Sequence, residues 1–251
     1  VSILEQAFLS GARDVGFYAT GEPFMYKDIN FAVNTAKKIG YAYVYITTNG
    51  ALAMPQKVKK LIEAGLDSIK FSINAASRET YRIIHGRDDY EVVLENLRFI
   101  RNYRDANDIP LRIGVTYVIT DANRVEIQQA KGVFGELADD VGFFEEGNQG
   151  GYMSENGKPS NVHLPCSLLF NRFHVSYEGY FSLCCVDYQN YLAVADLKKM
   201  SLNEAWSSPL AVKMRKRHLA SNVKGTLCHN CVECKSDPIE PLVPEYATIF
   251  N

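Results

Sequence analysis

The chain has 251 residues, 47% of them hydrophobic and 22% charged, with a formal net charge of −2. That is enough chain for one large or two modest domains with a full core and no need of covalent staples. The near-neutral balance argues against a nucleic-acid partner, and no run approaches the ~18 apolar residues of a membrane-spanning helix. All six cysteines lie between Cys166 and Cys234, so any thiol chemistry belongs to the second part of the chain.

The opening residues, from Val1 to Leu9, carry no basic region and no small-residue cleavage site, so they are not a signal peptide. The sequence does not begin with Met and enters a helical pattern at once, which leads us to expect a lost N-terminal segment. Without an export signal the expected location is the reducing cytoplasm, where clustered cysteines bind metal more often than they form disulfides.

Residues 2–11 read as a helix with Ile3, Leu4, Ala7 and Phe8 on one face. Residues 14–19 read as a buried strand running into Thr20-Gly21-Glu22-Pro23. A helix follows over 27–39, with Ile29, Ala32, Val33 and Ala36 at helical spacing and Gly40 as its stop. The next strand, 41–47, ends in Thr48-Asn49-Gly50. Pro55 opens a helix whose apolar face is Val58, Leu61, Ile62 and Leu66. Residues 68–74 form another strand, and 77–84 a short helix. Asp88 and Glu91 have capping-box spacing for a helix over about 90–104. A strand over 111–119, a helix over about 123–138 and a final strand at 141–144 complete the run.

This is a chain of βα units, which implies a parallel sheet with right-handed crossovers. Five strands are too few for a closed eight-unit barrel, which takes about 250 residues. Chemistry is therefore expected on the loops beyond the strand C-termini. Residues 147–160, rich in Gly, Asn and Ser, are the one clear composition break.

The second part reads Cys166, twelve residues, Gly179, four residues, Cys184, and later Cys228-x-x-Cys231-x-x-Cys234. Residues 173–177 and 180–184 read as the arms of a hairpin turning at Glu178-Gly179. The hairpin is expected to bring Cys166 and Cys184 together. The distal Cys-x-x-Cys, gripping from a tight turn, can close a four-sulfur cage. Cys185 and Cys234 are left over, with Cys185 expected on the opposite face of its strand. A zinc ribbon, an iron–sulfur cluster and unconnected buried thiols all remain open on spacing alone.

Here two halves match one pattern. Gly21-Glu22-Pro23 resembles the GGEP motif of radical S-adenosylmethionine (SAM) enzymes, with Thr20 in place of its first glycine. Residues 46–50 look like the "TNG" segment of their third strand, 66–74 like their fourth strand, and 77–97 like the helical segment after it. The C-terminal cysteine spacing is similar to the SPASM/twitch extension of these enzymes. Residues 197–217 resemble the helix that precedes its last cysteines. The family's CxxxCxxC motif has no counterpart, since no cysteine precedes Cys166; N-terminal truncation is the expected reason.

The resemblance implies an α/β fold: a partial (β/α)6 barrel of parallel strands lacking its first strand, then a small twitch-type β-hairpin plus helix domain. The expected domains are 1–148 for the barrel, 149–160 for a linker, 161–236 for the auxiliary-cluster domain and 237–251 for a tail. It implies reductive cleavage of SAM, followed by hydrogen abstraction from a C–H bond of a peptide, protein or polar small molecule. The implied SAM-binding residues are Gly21, Glu22, Pro23, Thr48, Asn49, Ser72 and Asn74. Glu22 would meet the methionine ammonium, and Ser72 and Asn74 the ribose. The implied ligands of an auxiliary [4Fe-4S] cluster are Cys166, Cys184, Cys228 and Cys231. A second [4Fe-4S] cluster is expected on the absent N-terminal segment, and a flavodoxin or ferredoxin as electron donor. No catalytic residue is named. Asp187 reads as an exposed turn residue or as one near the substrate, and His229 as an exposed loop residue. The basic run 213–218 reads as a solvated helix face, or as an attractor of an acidic substrate. The alternatives are a degenerate, non-enzymatic metal-binding protein and a βα enzyme with a structural zinc.

Overall fold

The computed structural model describes residues 1–152, 163–233 and 238–248. The chain divides into two compact units, one of Val1 with Gly11–Glu145 and one of Ser2–Ser10 with Glu146–Asn251. No helix among the described residues is long and apolar enough to cross a membrane.

The chain opens with α1 (Ser2–Leu9), which belongs to the second unit. The first unit is built on β1 (Asp14–Phe17), β2 (Tyr43–Thr48), β3 (Ser68–Ser72), β4 (Arg112–Ile119) and β5 (Asp140–Glu145). All neighbours are parallel and follow chain order, as expected of a partial βα barrel. Register is set by apolar residues, with Val15 opposite Val44, Ile46 opposite Ile69 and Phe71 opposite Val115.

The crossovers are helical: α2 (Ile29–Ile39), α3 (Pro55–Glu63), α4 (Arg78–His85) with α5 (Tyr90–Ala106), and α6 (Ile127–Gly135). Each buries one stripe. In α2 it is Ile29, Val33 and Ala36, in α5 Val93, Leu97 and Ile100. Truncating a fully buried member such as Leu97 to alanine costs about 2–5 kcal/mol. Gly40 ends α2 with φ +113°, in the left-handed region that suits glycine.

The expected capping box at the start of α5 does not form. Asp89 takes the N-cap position without a side-chain bond. Asp88 instead accepts a two-pronged bond from Arg78, both contacts at 2.7 Å, because that planar pairing outweighs one capping contact. The helix expected over 123–138 is shorter, with a tight 3-10 turn at Arg124–Glu126 leading into α6.

The second unit holds α7 (Leu168–Asn171), β6 (His174–Val175), β7 (Tyr180–Ser182), β8 (Ala193–Asp196), α8 (Leu202–Trp206), α9 (Pro209–Leu219) and α10 (Leu227–Glu233). The expected hairpin forms between β6 and β7, and β8 adds a third antiparallel strand. The single helix expected over 197–217 is two. Ser207-Ser208-Pro209 breaks it, Ser208 caps α9 at Ala211 and Pro209 is its first residue. A capping box of Ser201 and Glu204 starts α8. Gln6 on α1 accepts from the Leu202 N–H at 2.7 Å, tying α1 to α8.

Leu169, Phe181, Leu192, Ala205, Met214 and Leu227 form this unit's core. At its edge Arg215 lies 4.1 Å over the Trp206 ring and donates to the carbonyls of Leu169 and Trp206.

Candidate functional site

At the C-terminal rim of the parallel sheet the loops after β1 and β2 meet at one carboxylate. In β2, Val44, Ile46 and Thr48 share the buried face by strand alternation, so Thr48 arrives only 2% exposed. Its hydroxyl donates to Glu22 Oε1 at 2.7 Å and accepts from the Gly50 N–H at 3.0 Å. The Phe24 N–H donates to the same Oε1 at 3.1 Å, and the Asn49 N–H to Oε2 at 2.9 Å. Pro23 opens the 3-10 turn that fixes the Phe24 N–H. A carboxylate accepts about four hydrogen bonds. Three are made here, so one position on Oε2 is left for a donor from outside.

Gly21 stands beside it without a structural reason to be glycine. Its φ is not positive, and a Cβ added there would meet nothing within 4 Å. The missing side chain leaves room for a ligand to approach the backbone. An ammonium donor against Glu22 and a chain lying over Gly21 fit this arrangement, as the amino-acid end of SAM would.

Ser72 ends β3 and Asn74 follows it; the two are brought together, Asn74 Nδ2 standing 3.5 Å from Ser72 Oγ. Asn74 takes φ +56°, a left-handed conformation that Asn tolerates. Its Oδ1 accepts from the Val118 N–H at 2.8 Å. Its backbone oxygen accepts from Asn123 Nδ2 at 2.8 Å. Asn74 is thus largely spent on joining β3 to β4, which leaves the Ser72 hydroxyl as the freer group.

Two neighbours of this rim went unread in the sequence. Asn123, fully buried, holds the loop after β4 through Thr120, Val118 and Asn74. Glu126 accepts from the Ala76 N–H at 2.8 Å and the hydroxyls of Ser77 and Thr80 at 2.6 and 2.7 Å. Burial pulls its carboxyl upward, but those bonds outweigh burial and hold it below the usual range. No local motif marks either residue, because their partners lie far away in sequence.

The second unit holds the four cysteines expected as ligands. Cys228 and Cys231 are one helical turn apart on α10, not on the tight turn expected, so both face the same way. The Cys228 thiol is pushed up by burial, and Cys231, Cys166 and Asp187 push the same way. Cys228 in turn is the weakest of the influences that raise Cys184. Asn148 fixes α10 by donating to the carbonyls of Asn230 and Cys231 at 2.8 and 2.9 Å. Gly151, at φ +89°, lets the preceding turn press against the helix; a Cβ there would fall 2.3 Å from Asn230 Cβ.

Cys185 does not point away from Cys184. β7 ends at Ser182, so strand alternation no longer applies, and the two thiols act on each other electrostatically. Cys185 and burial raise Cys184, while Cys184 lowers Cys185. Cys234 lies outside the described residues. His229 sits on α10, half-buried beside Glu233, and not in an exposed loop.

Asp187 is not an exposed turn residue either. It is 6% exposed and saturated by four donors: the Tyr152 and Ser182 hydroxyls and the N–H groups of Tyr191 and Leu192. Burial nevertheless raises its carboxyl above the usual range. His218, on the inner face of α9, accepts from the Cys166 N–H at 3.2 Å through Nδ1 and so fixes the first ligand's backbone.

Five described cysteines are free thiols. Four soft sulfur donors that repel one another when ionised need a polycation to hold them. Among the described residues no three His, Cys, Asp or Glu side chains stand close enough to grip a single ion. Two of the thiols stand one helical turn apart on α10, and all four expected donors belong to the second unit. The donor set therefore fits an iron–sulfur group.

The radical SAM superfamily matches residues 2–129, and the SPASM iron–sulfur cluster-binding domain matches residues 166–235. A probable GTP 3′,8-cyclase of Saccharolobus islandicus (strain Y.N.15.51 / Yellowstone #2) is 35% identical over 125 residues, covering 50% of this chain and 37% of that protein. The chain thus spans little more than a third of the length of the curated relatives it matches. Three solved structures share the fold at low identity. Native anSMEcpe with bound AdoMet has a TM-score of 0.67 at 14% identity, covering 96% of this chain and 82% of that one. Streptococcus suis SuiB bound to precursor peptide SuiA gives 0.69 at 15%, covering 85% and 58%. BtrN in complex with AdoMet and 2-DOIA gives 0.54 at 17%, covering 86% and 71%. The chain belongs to the radical SAM superfamily and carries a SPASM iron–sulfur cluster-binding domain.

Proposed function

We propose that the protein is a radical SAM enzyme acting on a C–H position of a peptide or protein, with a polar small molecule as the alternative substrate class. Bound SAM, cleaved reductively, supplies the hydrogen-abstracting radical. The chain's own residues bind and orient. Glu22, held rigid by Thr48, Asn49 and Phe24, receives the methionine ammonium on its remaining acceptor position. Gly21 gives the ligand access to backbone, Pro23 fixes the turn, and Ser72 with Asn74 faces the ribose. Cys166, Cys184, Cys228 and Cys231 hold an auxiliary [4Fe-4S] cluster that assists oxidation of the substrate radical.

The observation that carries this reading is the Glu22 carboxylate held by Thr48, Asn49 and Phe24 with one acceptor position open, in a chain whose second unit holds the expected four cysteines. Support for a peptide substrate comes from SuiB bound to precursor peptide SuiA and from anSMEcpe with bound Cp18Cys peptide. BtrN in complex with 2-DOIA supports the small-molecule class. A flavodoxin or ferredoxin is the electron donor in this reading, and the reducing cytoplasm the compartment. The radical-generating cluster requires further cysteines, which the sequence before Cys166 does not supply.

Anaerobic metal analysis tests the proposal. About four iron and four sulfide per auxiliary site are expected, lost on Cys228→Ala. Stoichiometric zinc without sulfide would overturn it in favour of a structural zinc site. Loading of the cluster with no SAM binding to the full-length protein would leave a metal-binding protein without the activity.

A further inference from the structure

His218 is one of the most buried polar side chains of the second unit, at 1% exposure. Its Nδ1 accepts from the Cys166 N–H. A nitrogen that accepts carries no proton, so the proton of this ring is on Nε2. That Nε2–H is buried and has no hydrogen-bond partner among the described residues.

Folded proteins rarely leave such a donor alone, because an orphaned buried polar group costs about 1–3 kcal/mol. A lone water is a poor remedy, since a buried water needs two or more polar partners of its own. The ring is packed against the backbone of Cys166, and no thiol of the described residues lies within hydrogen-bond reach of Nε2, so an inorganic sulfide is the sulfur acceptor left to it. Removing the imidazole would also free the Cys166 backbone. The position thus links one helix, one ligand and one unused donor.

We propose that His218 is a positioning residue that donates a hydrogen bond from Nε2 to an inorganic sulfide of the auxiliary cluster. This rests on the auxiliary-cluster reading above. Hydrogen bonds to the sulfurs stabilise the more negative, reduced state, so they raise the reduction potential. His218 would hold the Cys166 loop with one nitrogen and tune the cluster with the other.

The test uses the anaerobically purified protein, labelled with ¹⁵N-histidine and reduced, and reads nitrogen couplings of the auxiliary cluster by pulsed EPR. A histidine nitrogen coupling is expected that persists in His229→Gln and disappears in His218→Gln. A redox titration is expected to show a lower midpoint potential in His218→Leu, with His218→Gln intermediate because its amide still offers a donor. A cluster with full iron and sulfide but no histidine coupling would overturn the proposal, as would a coupling that follows His229. An unchanged potential in His218→Leu would overturn it too. If His218→Leu does not fold, the labelled parent and His218→Gln still decide. Absence of any iron–sulfur cluster in the parent would instead overturn the reading beneath it.

Discussion

Glu22→Gln is the sharpest test of the SAM site, because it keeps volume and removes charge. In the parent, Oε1 takes two donors and Oε2 takes one. If the amide oxygen of Gln stays at the Oε1 position, its NH2 faces the Asn49 N–H, donor against donor. If the amide turns over, the NH2 faces the Phe24 N–H, and that donor is lost instead. Either way one backbone N–H loses its acceptor. The bond lost is to a charged group, worth about 1.5–3 kcal/mol when buried. Partial exposure of Glu22 lowers this to about 1–2 kcal/mol of stability. The ligand loses more, since the amide offers an ammonium no formal charge. A loss of about 1.5–3 kcal/mol corresponds to roughly tenfold to hundredfold weaker SAM binding. Calorimetric titration of SAM into the full-length protein, both clusters reconstituted, reads this directly, with far-UV circular dichroism as a check of folding. An affinity within about twofold of the parent would remove Glu22 from the ammonium site.

Further predictions follow from the remaining networks. Glu126→Ala strips the acceptor from Ala76, Ser77 and Thr80 and is expected to cost about 3 kcal/mol. Glu126→Gln should cost about 1 kcal/mol, because the amide can turn its oxygen to Ala76 and its NH2 to the two hydroxyls. Glu126 titrates in the folded state below the ordinary glutamate value of about 4.3. Its stabilisation is therefore present above that value and is lost as pH falls through the folded pKa. Urea melts taken at falling pH should show this acid limb in the parent and lack it in Glu126→Gln. Iron analysis separates the adjacent thiols: Cys184→Ser should lose the auxiliary cluster, and Cys185→Ser should keep its iron content.

The βα rhythm was legible because buried parallel strands and one-sided helices write their period into the sequence. Thr48 and Glu22 were legible through the resemblance of their motifs, Thr48 ending β2 and Glu22 lying in the loop after β1. The cysteine set was legible as spacing. What placed the thiols together was not, since Asn148 and Gly151 secure α10 across about eighty residues. Asp187 shows the limit well. Its neighbours Tyr188, Gln189 and Asn190 read as a polar turn, and a polar turn reads as exposed. Four donors from distant and local groups allow the carboxylate inside, and only tertiary structure reveals them. Cys185 lies three residues past the end of β7, where pleat alternation no longer tells which way a side chain points. The helix over 197–217 was drawn unbroken through Ser207-Ser208-Pro209, although Pro at a first helical position is itself a boundary signal.

One charge pattern answers to none of these packing needs. Between Glu204 and Glu233 the chain has no Asp or Glu, yet Lys213, Arg215, Lys216, Arg217 and Lys224 fall there with Cys228 and Cys231. Arg215 is spent on Trp206 and Leu169, and Arg217 on the carbonyls of Asn222 and Lys224. Lys213 and Lys216 are exposed and line a groove along α9 with Arg217 and Asn222. Exposed charges are screened over about 8–10 Å at physiological salt. They therefore act on encounter with a partner far more than on a buried cluster's potential. In the reading proposed above, this face would attract an acidic electron carrier such as a flavodoxin. Lys213→Glu with Lys216→Glu should slow reduction of the auxiliary cluster by flavodoxin about tenfold at low salt. The difference should vanish at high salt, and the cluster's midpoint potential should not move. Stopped-flow absorbance across a salt series reads the rate. A parent rate insensitive to salt would show that carriers dock elsewhere, and a shifted potential would mean that the two lysines are felt by the cluster itself.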